Sequence, residues 1–204
     1  MIKDILHPVF IIVQIIAISY GFYYFLVSIY GILERFYKKP VKNYLPIKKF
    51  AIFIPAHNEE KVIGNIVENL KCLNYPKEYY DVFVIADNCS DNTAEVARKG
   101  GANVLIRNDM ENKGKGYALK WAFREVLYKE DADYDAVVIF DADNLVSRNF
   151  LKEMNNKLCE GYKVLQGYID SKNPEDSWIT CSYSIAFWSA NRSFQCAREY
   201  LGLS

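Results

Sequence analysis

From Pro8 to Leu33 the chain carries no Asp, Glu, Lys or Arg and is dense in Ile, Val, Phe and Tyr. The stretch "FYYFLVSIY" within it has no polar face over several helical turns, which argues against a helix half-buried on a soluble core. Rising about 1.5 Å per residue, such a helix crosses a hydrocarbon layer of about 30 Å with some tilt. Residues 8–33 are therefore expected to form a transmembrane helix. A cleaved signal peptide fits less well: only Lys3 and Asp4 precede the run, the run is too long, and no small-residue cleavage site follows.

Past a proline-bracketed basic linker, "PVKNYLP", the pattern changes to short apolar runs alternating with helical periodicity. "FAIFI" (50–54) reads as a strand that Pro55 stops, and Val62, Ile63, Ile66, Val67 and Leu70 recur at helical spacing over 61–73. "VFVIA" (82–86) is a second strand, followed by a helix that Ser90 can cap and that Gly100 and Gly101 end. "NVLI" (103–106) is a third strand, "GYALKWAFREVLY" a helix, "AVVIF" (136–140) a fourth strand and "FLKEMNNKL" a helix. "KVLQGY" (163–168) is a candidate fifth strand, and 177–204 reads as an amphipathic core helix across the sheet, with a membrane-interface helix as the alternative. Continuous apolar strands alternating with helices predict an α/β fold, a mainly parallel open sheet covered on both faces.

In such sheets ligands sit beyond the carboxyl ends of the strands, and here each strand in the clear part of the pattern leads into polar residues. The first leads into "PAHNEE" (55–60), where Glu60 suits a helix first turn but His57 and Glu59 exceed what one cap needs. The second leads into "DNCSDNT" (87–93): Asp91 and Thr93 suit helix entry, while Asp87 faces the crevice and can accept from a base or ribose. The third loop, "ENKGKGYAL", offers Gly114 and Gly116 for close backbone approach and Lys113 and Lys115 for positive charge at a helix start. The fourth strand ends in Asp141 and Asp143, alternate residues able to face one side. Two hard carboxylates suit magnesium or manganese, whose shell is completed by water and substrate phosphate.

Net charge is zero, with 25 basic and 25 acidic residues, so bulk electrostatics names no partner, and nucleic acid is not an expected one. Charge position says more than charge balance. Arg35, Lys38, Lys39, Lys42, Lys48 and Lys49 follow the apolar run against a single Glu34, which by the positive-inside rule leaves the rest of the chain cytoplasmic at the cell membrane. Five scattered cysteines without a Cys-x-x-Cys pair support neither a disulfide framework nor a zinc site.

Four segments, "FIPAHNEE", "VFVIADNCSDNTAEVA", "NKGKGYAL" and "VVIFDADN", stand in an order and at separations that resemble the family 2 glycosyltransferases with a GT-A nucleotide-sugar domain. The resemblance covers 48–204, with 34–47 as a juxtamembrane linker. It implies that the loop around Pro55, Ala56, His57 and Glu59, together with Asp87, holds the uridine of a UDP-sugar, and that Lys115 lies near the sugar or diphosphate. It implies a DxD motif at Asp141, Ala142 and Asp143, with Asp143 as direct ligand of Mn2+ or Mg2+ and Asp141 contacting ribose or the metal's water shell. The implied chemistry is inverting transfer to a glycan or lipid-linked acceptor, in the membrane-bound, polysaccharide-synthase-like branch.

Two departures stand out. Many members carry two acids at the second strand's end, whereas Ala86 precedes Asp87 here, which leaves the nucleotide's identity open. The family's base lies in an acidic motif well after the DxD; Glu175 and Asp176 come too early for it, so the catalytic base is expected beyond Ser204 and the chain is expected to be a donor-binding part that transfers sugar poorly. Two alternatives remain at this stage. One is a nucleotide-sugar binding module without transfer activity. The other is a sugar-1-phosphate nucleotidyltransferase, which should show a Gly-rich, Arg-containing signature where this chain has "PAHNEE".

Overall fold

The structure, a computed structural model, describes residues 2–34, 42–195, 197–198 and 201–202. The chain divides into two compact units, Lys42–Leu165 and a second formed by Met1–Val41 with Gln166–Ser204.

In the first unit β1 (Phe50–Ala56), β2 (Tyr80–Asp87), β3 (Asn103–Arg107) and β4 (Ala136–Ile139) form one sheet in the order β3-β2-β1-β4, with every pairing parallel. The alternation of β1 separates two cores. Phe50, Ile52 and Ile54 pack with Ile63, Ile66, Val67 and Leu70 of α2 (Ile63–Lys71), Ala97 of α3 (Thr93–Lys99) and Leu151 of α5 (Phe150–Cys159). Ala51 and Phe53 face the opposite side, against Ala118, Ala122 and Val126 of α4 (Lys115–Leu127). Both faces are covered, so the central strand can be apolar at every position from 50 to 54 and is at most 1% exposed there.

The order steps outward from β1 through β2 to β3 and then jumps to the other side of β1 for β4. The helices that follow β1 and β3 therefore cover opposite faces of the sheet, and the carboxyl ends of β1 and β2 open between the β1 loop and the start of α4.

The structure corrects four expectations. Pro55 does not stop β1, which runs on to Ala56 in register with β2. Phe53 O accepts from Phe140 N at 3.1 Å, so the same-side position two residues on, Pro55, would aim its missing N–H beyond the β4 ladder, where no acceptor is lost. No fifth strand forms at 163–168: the described sheet has four strands, neither edge strand pairs with this segment, and Val164 is 90% exposed. Ser90 does not cap α3, which begins at Thr93 after Asn92. The tail is not a core helix, because α6 (Trp178–Trp188) buries none of its residues. Its apolar side chains surround the axis instead of forming one stripe.

In the second unit α1 spans Ile2–Glu34, and its segment Leu6–Leu33 is long and apolar enough to cross a membrane. A π-helical stretch, Ser189–Gln195, follows α6 and packs on α1: the Phe194 ring stacks on Tyr24 with centroids 4.3 Å apart. Glu175 and Asp176 lie in the turn that precedes α6.

The segment leading into β1 is fixed to α5 by one fully buried side chain. Asn155 Oδ1 accepts from Ile47 N and Lys48 N, both at 3.2 Å, while its Nδ2 donates to Leu45 O at 3.0 Å. An unpaired buried polar group costs about 1–3 kcal/mol. Asn155→Leu strands several at once and is expected to lower unfolding free energy by about 2–4 kcal/mol, read from the shift in denaturant midpoint.

Candidate nucleotide site

Three of the four strand-end loops line one cleft of about 430 Å³, a volume that fits a nucleotide-sized ligand. Pro55, Ala56, His57 and Glu59 come from β1 and its loop, Asp87 and Asn88 from the end of β2 and the residue after it, Met110, Lys113 and Gly114 from the β3–α4 connection, and Lys115 and Ala118 from the first turn of α4. The fourth loop joins through charge, because Lys115 Nζ pairs with the Asp141 carboxylate. Asp143 is exposed, and among the described residues its carboxylate meets only the Asn144 amide, at 3.3 Å. Ala142 turns inward and packs in the core, which leaves the two acids on the outside of the turn.

The first two loops are stitched together by reciprocal hydrogen bonds. Glu59 N donates to Thr93 Oγ1 at 2.8 Å and Glu60 N to Asp91 Oδ2 at 3.1 Å; in return Asn92 N donates to a Glu60 carboxylate oxygen at 3.0 Å. Glu60, Asp91 and Thr93 thus serve the neighbouring loop as well as their own. His57 Nδ1 lies 2.7 Å from the Asp87 carbonyl, and because a carbonyl only accepts, this nitrogen carries the proton. Asn58 and Asn88 follow the two strand ends with φ of 56° and 50°, a region Asn tolerates better than other non-glycine residues. Asn58 Oδ1 in turn accepts from Ser90 N at 2.8 Å, which is where the expected capping serine is used.

Arg107 went unnoticed in the sequence. It ends β3, is 5% exposed, and places Nη1 2.6 Å from Asp87 Oδ1 and Nη2 2.7 Å from both Asp109 Oδ2 and Asn112 O. A charged residue closing the apolar run "VLI" was the available signal, since β2 also ends in a charge and Asp141 closely follows β4. Asp109 organises the loop ahead of α4, accepting from Glu111 N and Asn112 N at 3.0 and 2.9 Å. Gly114 then enters α4 with φ of 111°, a conformation that favours glycine, and a Cβ there would meet nothing. Tyr117 N and Ala118 N both donate to Gly114 O at 3.1 Å, so helix geometry leaves the Lys115 and Gly116 N–H groups at the start of α4 without an intrahelical acceptor, next to the cleft-lining Lys113, Gly114 and Lys115.

Several ionisations are tied to this framework. Hydrogen bonding from the Thr93 side chain holds Asp91 below the usual carboxylate range, and the Asn112 backbone N–H does the same for Asp109. Burial pushes Tyr75, whose hydroxyl donates to Lys48 O at 2.7 Å, up to about 12. A carboxyl with a depressed folded pKa stabilises fully above its unfolded pKa of about 3.9 and loses that contribution as pH falls through the folded value. A raised tyrosine stabilises below its unfolded pKa of about 10 and loses that as pH rises through the folded value. The cleft loops are therefore expected to keep full hydrogen-exchange protection at pH 5 and to loosen below about pH 4, with a separate loss of stability above about pH 10.

A divalent ion fits the residues present. Asp141 and Asp143 offer hard carboxylate oxygens on an exposed turn, and Lys115 already holds Asp141 beside the cleft. Among the described residues no three His, Cys, Asp or Glu side chains form a complete shell.

A parallel sheet covered on both faces, with a cleft at the carboxyl ends of its strands, defines the class of doubly wound α/β proteins. Residues 46–202 match the family described as "Glycosyltransferase like family 2", and the chain belongs to that family. Among curated relatives, the beta-monoglucosyldiacylglycerol synthase of Trichormus variabilis is 35% identical over 122 residues, covering 57% of this chain and 24% of that protein. The poly-beta-1,6-N-acetyl-D-glucosamine synthase of Staphylococcus aureus is 30% identical over 145 residues, covering 70% of this chain and 32% of that protein. The chain thus spans about a quarter to a third of the length of these relatives. A mannosyltransferase from Pyrobaculum calidifontis, solved with GDP-mannose and Mn2+, shares the fold at a TM-score of 0.51 and 24% identity, over 79% of this chain and 48% of that one.

Proposed function

We propose that this chain is the donor-binding part of a membrane-anchored glycosyltransferase that uses a nucleoside-diphosphate sugar, UDP-linked, with Mn2+ or Mg2+. The observation that carries the reading is the grouping of Asp87, Lys113, Lys115 and the α4 N-terminus on one cleft, with Asp141 joined to it by the Lys115 ion pair and Asp143 two residues on in the same turn. The cleft has chemically distinct ends. Asp87 and His57 offer acceptor and ring chemistry for a base, while two lysines and free helix N–H groups offer charge and donors for a diphosphate.

A divalent ion held by Asp143, with Asp141 beside it, would neutralise charge on the leaving diphosphate. Lys115 would exchange its contact with Asp141 for a phosphate oxygen, keeping the lysine charge at the reacting end of the donor. Asp87 and the His57 loop would hold the base and so fix the direction in which the sugar projects. Transfer with inversion follows the family resemblance, with the base supplied by a group outside this cleft. The anchor is Leu6–Leu33, and the basic residues after it favour a cytoplasmic domain. The two synthases named above support a lipid-linked or glycan acceptor.

The test is to incubate the full chain in lipid nanodiscs with UDP-sugars, Mn2+ and lipid or oligosaccharide acceptors. UDP release with a glycosylated product supports the proposal. Donor binding without release makes the chain a binding module, and pyrophosphate released from UTP and a sugar-1-phosphate makes it a nucleotidyltransferase.

A further inference from the structure

We infer that Arg107 is a positioning residue that restricts the base end of the cleft to a 2,4-dioxopyrimidine, uracil or thymine, by filling one oxygen of Asp87. This rests on the nucleotide-sugar reading above. The carboxylate of Asp87 has about four acceptor positions, two per oxygen. Oδ1 receives Arg107 Nη1 at 2.6 Å and Asn88 Nδ2 at 3.1 Å, which fills it. Among the described residues Oδ2 has no hydrogen-bond partner, and Asp87 lines the cleft.

One free oxygen matches one donor. Uracil presents a single N3–H between two carbonyl oxygens, and with Oδ1 capped by two donors the carbonyl beside it meets little repulsion. Guanine presents N1–H and N2–H side by side and needs both carboxylate oxygens in a fork. Adenine and cytosine place a ring acceptor beside their amino donor, and that acceptor finds no donor on Asp87.

Arg107 cannot swing away to free Oδ1 without loosening the phosphate end of the cleft. Its second nitrogen holds Asp109 Oδ2 and Asn112 O, each at 2.7 Å, in the loop that carries Lys113 and Gly114. Asn88 ties the same two parts independently, donating from Nδ2 to Asp109 O at 3.0 Å and accepting Asp109 N at 2.8 Å. Arg107 is buried with only 5% exposure, so solvent does not compete for these contacts. Base choice and lysine placement therefore share one side chain.

The experiment is a calorimetric titration of the full chain in nanodiscs, with Mn2+ present, against UDP, dTDP, GDP and N3-methyl-UDP. Unaltered protein is expected to bind UDP and dTDP alike, GDP on the order of 100-fold more weakly, and the N3-methylated nucleotide at least tenfold more weakly. Arg107→Lys replaces the fork by a point charge and is expected to narrow the UDP-to-GDP ratio about tenfold. A purely structural role for Arg107 would weaken both nucleotides equally and leave that ratio unchanged, which overturns the inference. Equal binding of UDP and GDP by unaltered protein overturns it without any variant, and still leaves the nucleotide-sugar reading standing. Binding of none of the four nucleotides removes that reading and this inference together.

Discussion

Asp87→Ala is expected to cost about 3–5 kcal/mol of unfolding free energy and to abolish selective nucleotide binding, two losses from one carboxylate. The first loss arises because Arg107 is buried and its ion pair with Asp87, side chains 5% and 9% exposed, is shielded from water. Deleting the acid leaves a guanidinium whose remaining partners are Asp109 and the Asn112 carbonyl. The second loss follows because the same carboxylate is the proposed acceptor for the base. Denaturant midpoints give the stability change, and Asp87→Ala combined with Arg107→Met separates the two effects. Removing both charges should recover part of the stability and none of the binding. Full recovery of binding in the double variant would refute the role assigned to Asp87.

Asp143→Ala has the opposite profile. Its carboxylate is exposed and among the described residues meets only the Asn144 side chain at 3.3 Å, so the unfolding free energy should stay within about 0.5 kcal/mol of the original. Retention of Mn2+ in the presence of UDP, read by electron paramagnetic resonance of the free ion, should fall by about 100-fold or more. Asp141→Ala should differ from both, since it also releases Lys115 and so trades a lost ligand for a freed cation. Unchanged Mn2+ retention in Asp143→Ala would move the metal away from this turn.

The parallel α/β character was readable because every strand is a short apolar run and a helix such as α2, packed on the sheet, repeats its apolar residues at helical spacing. The strand ends were readable for the same reason: Asp87 and Asp141 interrupt apolar runs where a purely structural turn would not need an acid. What could not be read were partners lying far apart in sequence. Arg107 looks like a surface strand terminus until β3 is placed beside β2 and Arg107 falls opposite Asp87 in register. Asn155 looks like the polar face of an amphipathic helix, yet it is fully buried because the segment before β1 brings it unpaired backbone groups. Pro55 misled in the other direction. A proline argues against a central strand only where the neighbouring ladder extends that far, and the length of β4 is a tertiary fact. The tail failed on periodicity: its aromatic and aliphatic residues are frequent enough to suggest a core helix, but around α6 they define no single face.

The central claim is that this crevice holds a nucleoside diphosphate through a metal. Equilibrium titration of the full chain in nanodiscs with UDP, in Mn2+ and then in excess chelator, tests it most directly. Saturable binding of one UDP per chain in Mn2+, weakened at least tenfold by the chelator, is the predicted result. Equal affinity in both conditions, or no binding in either, would contradict it.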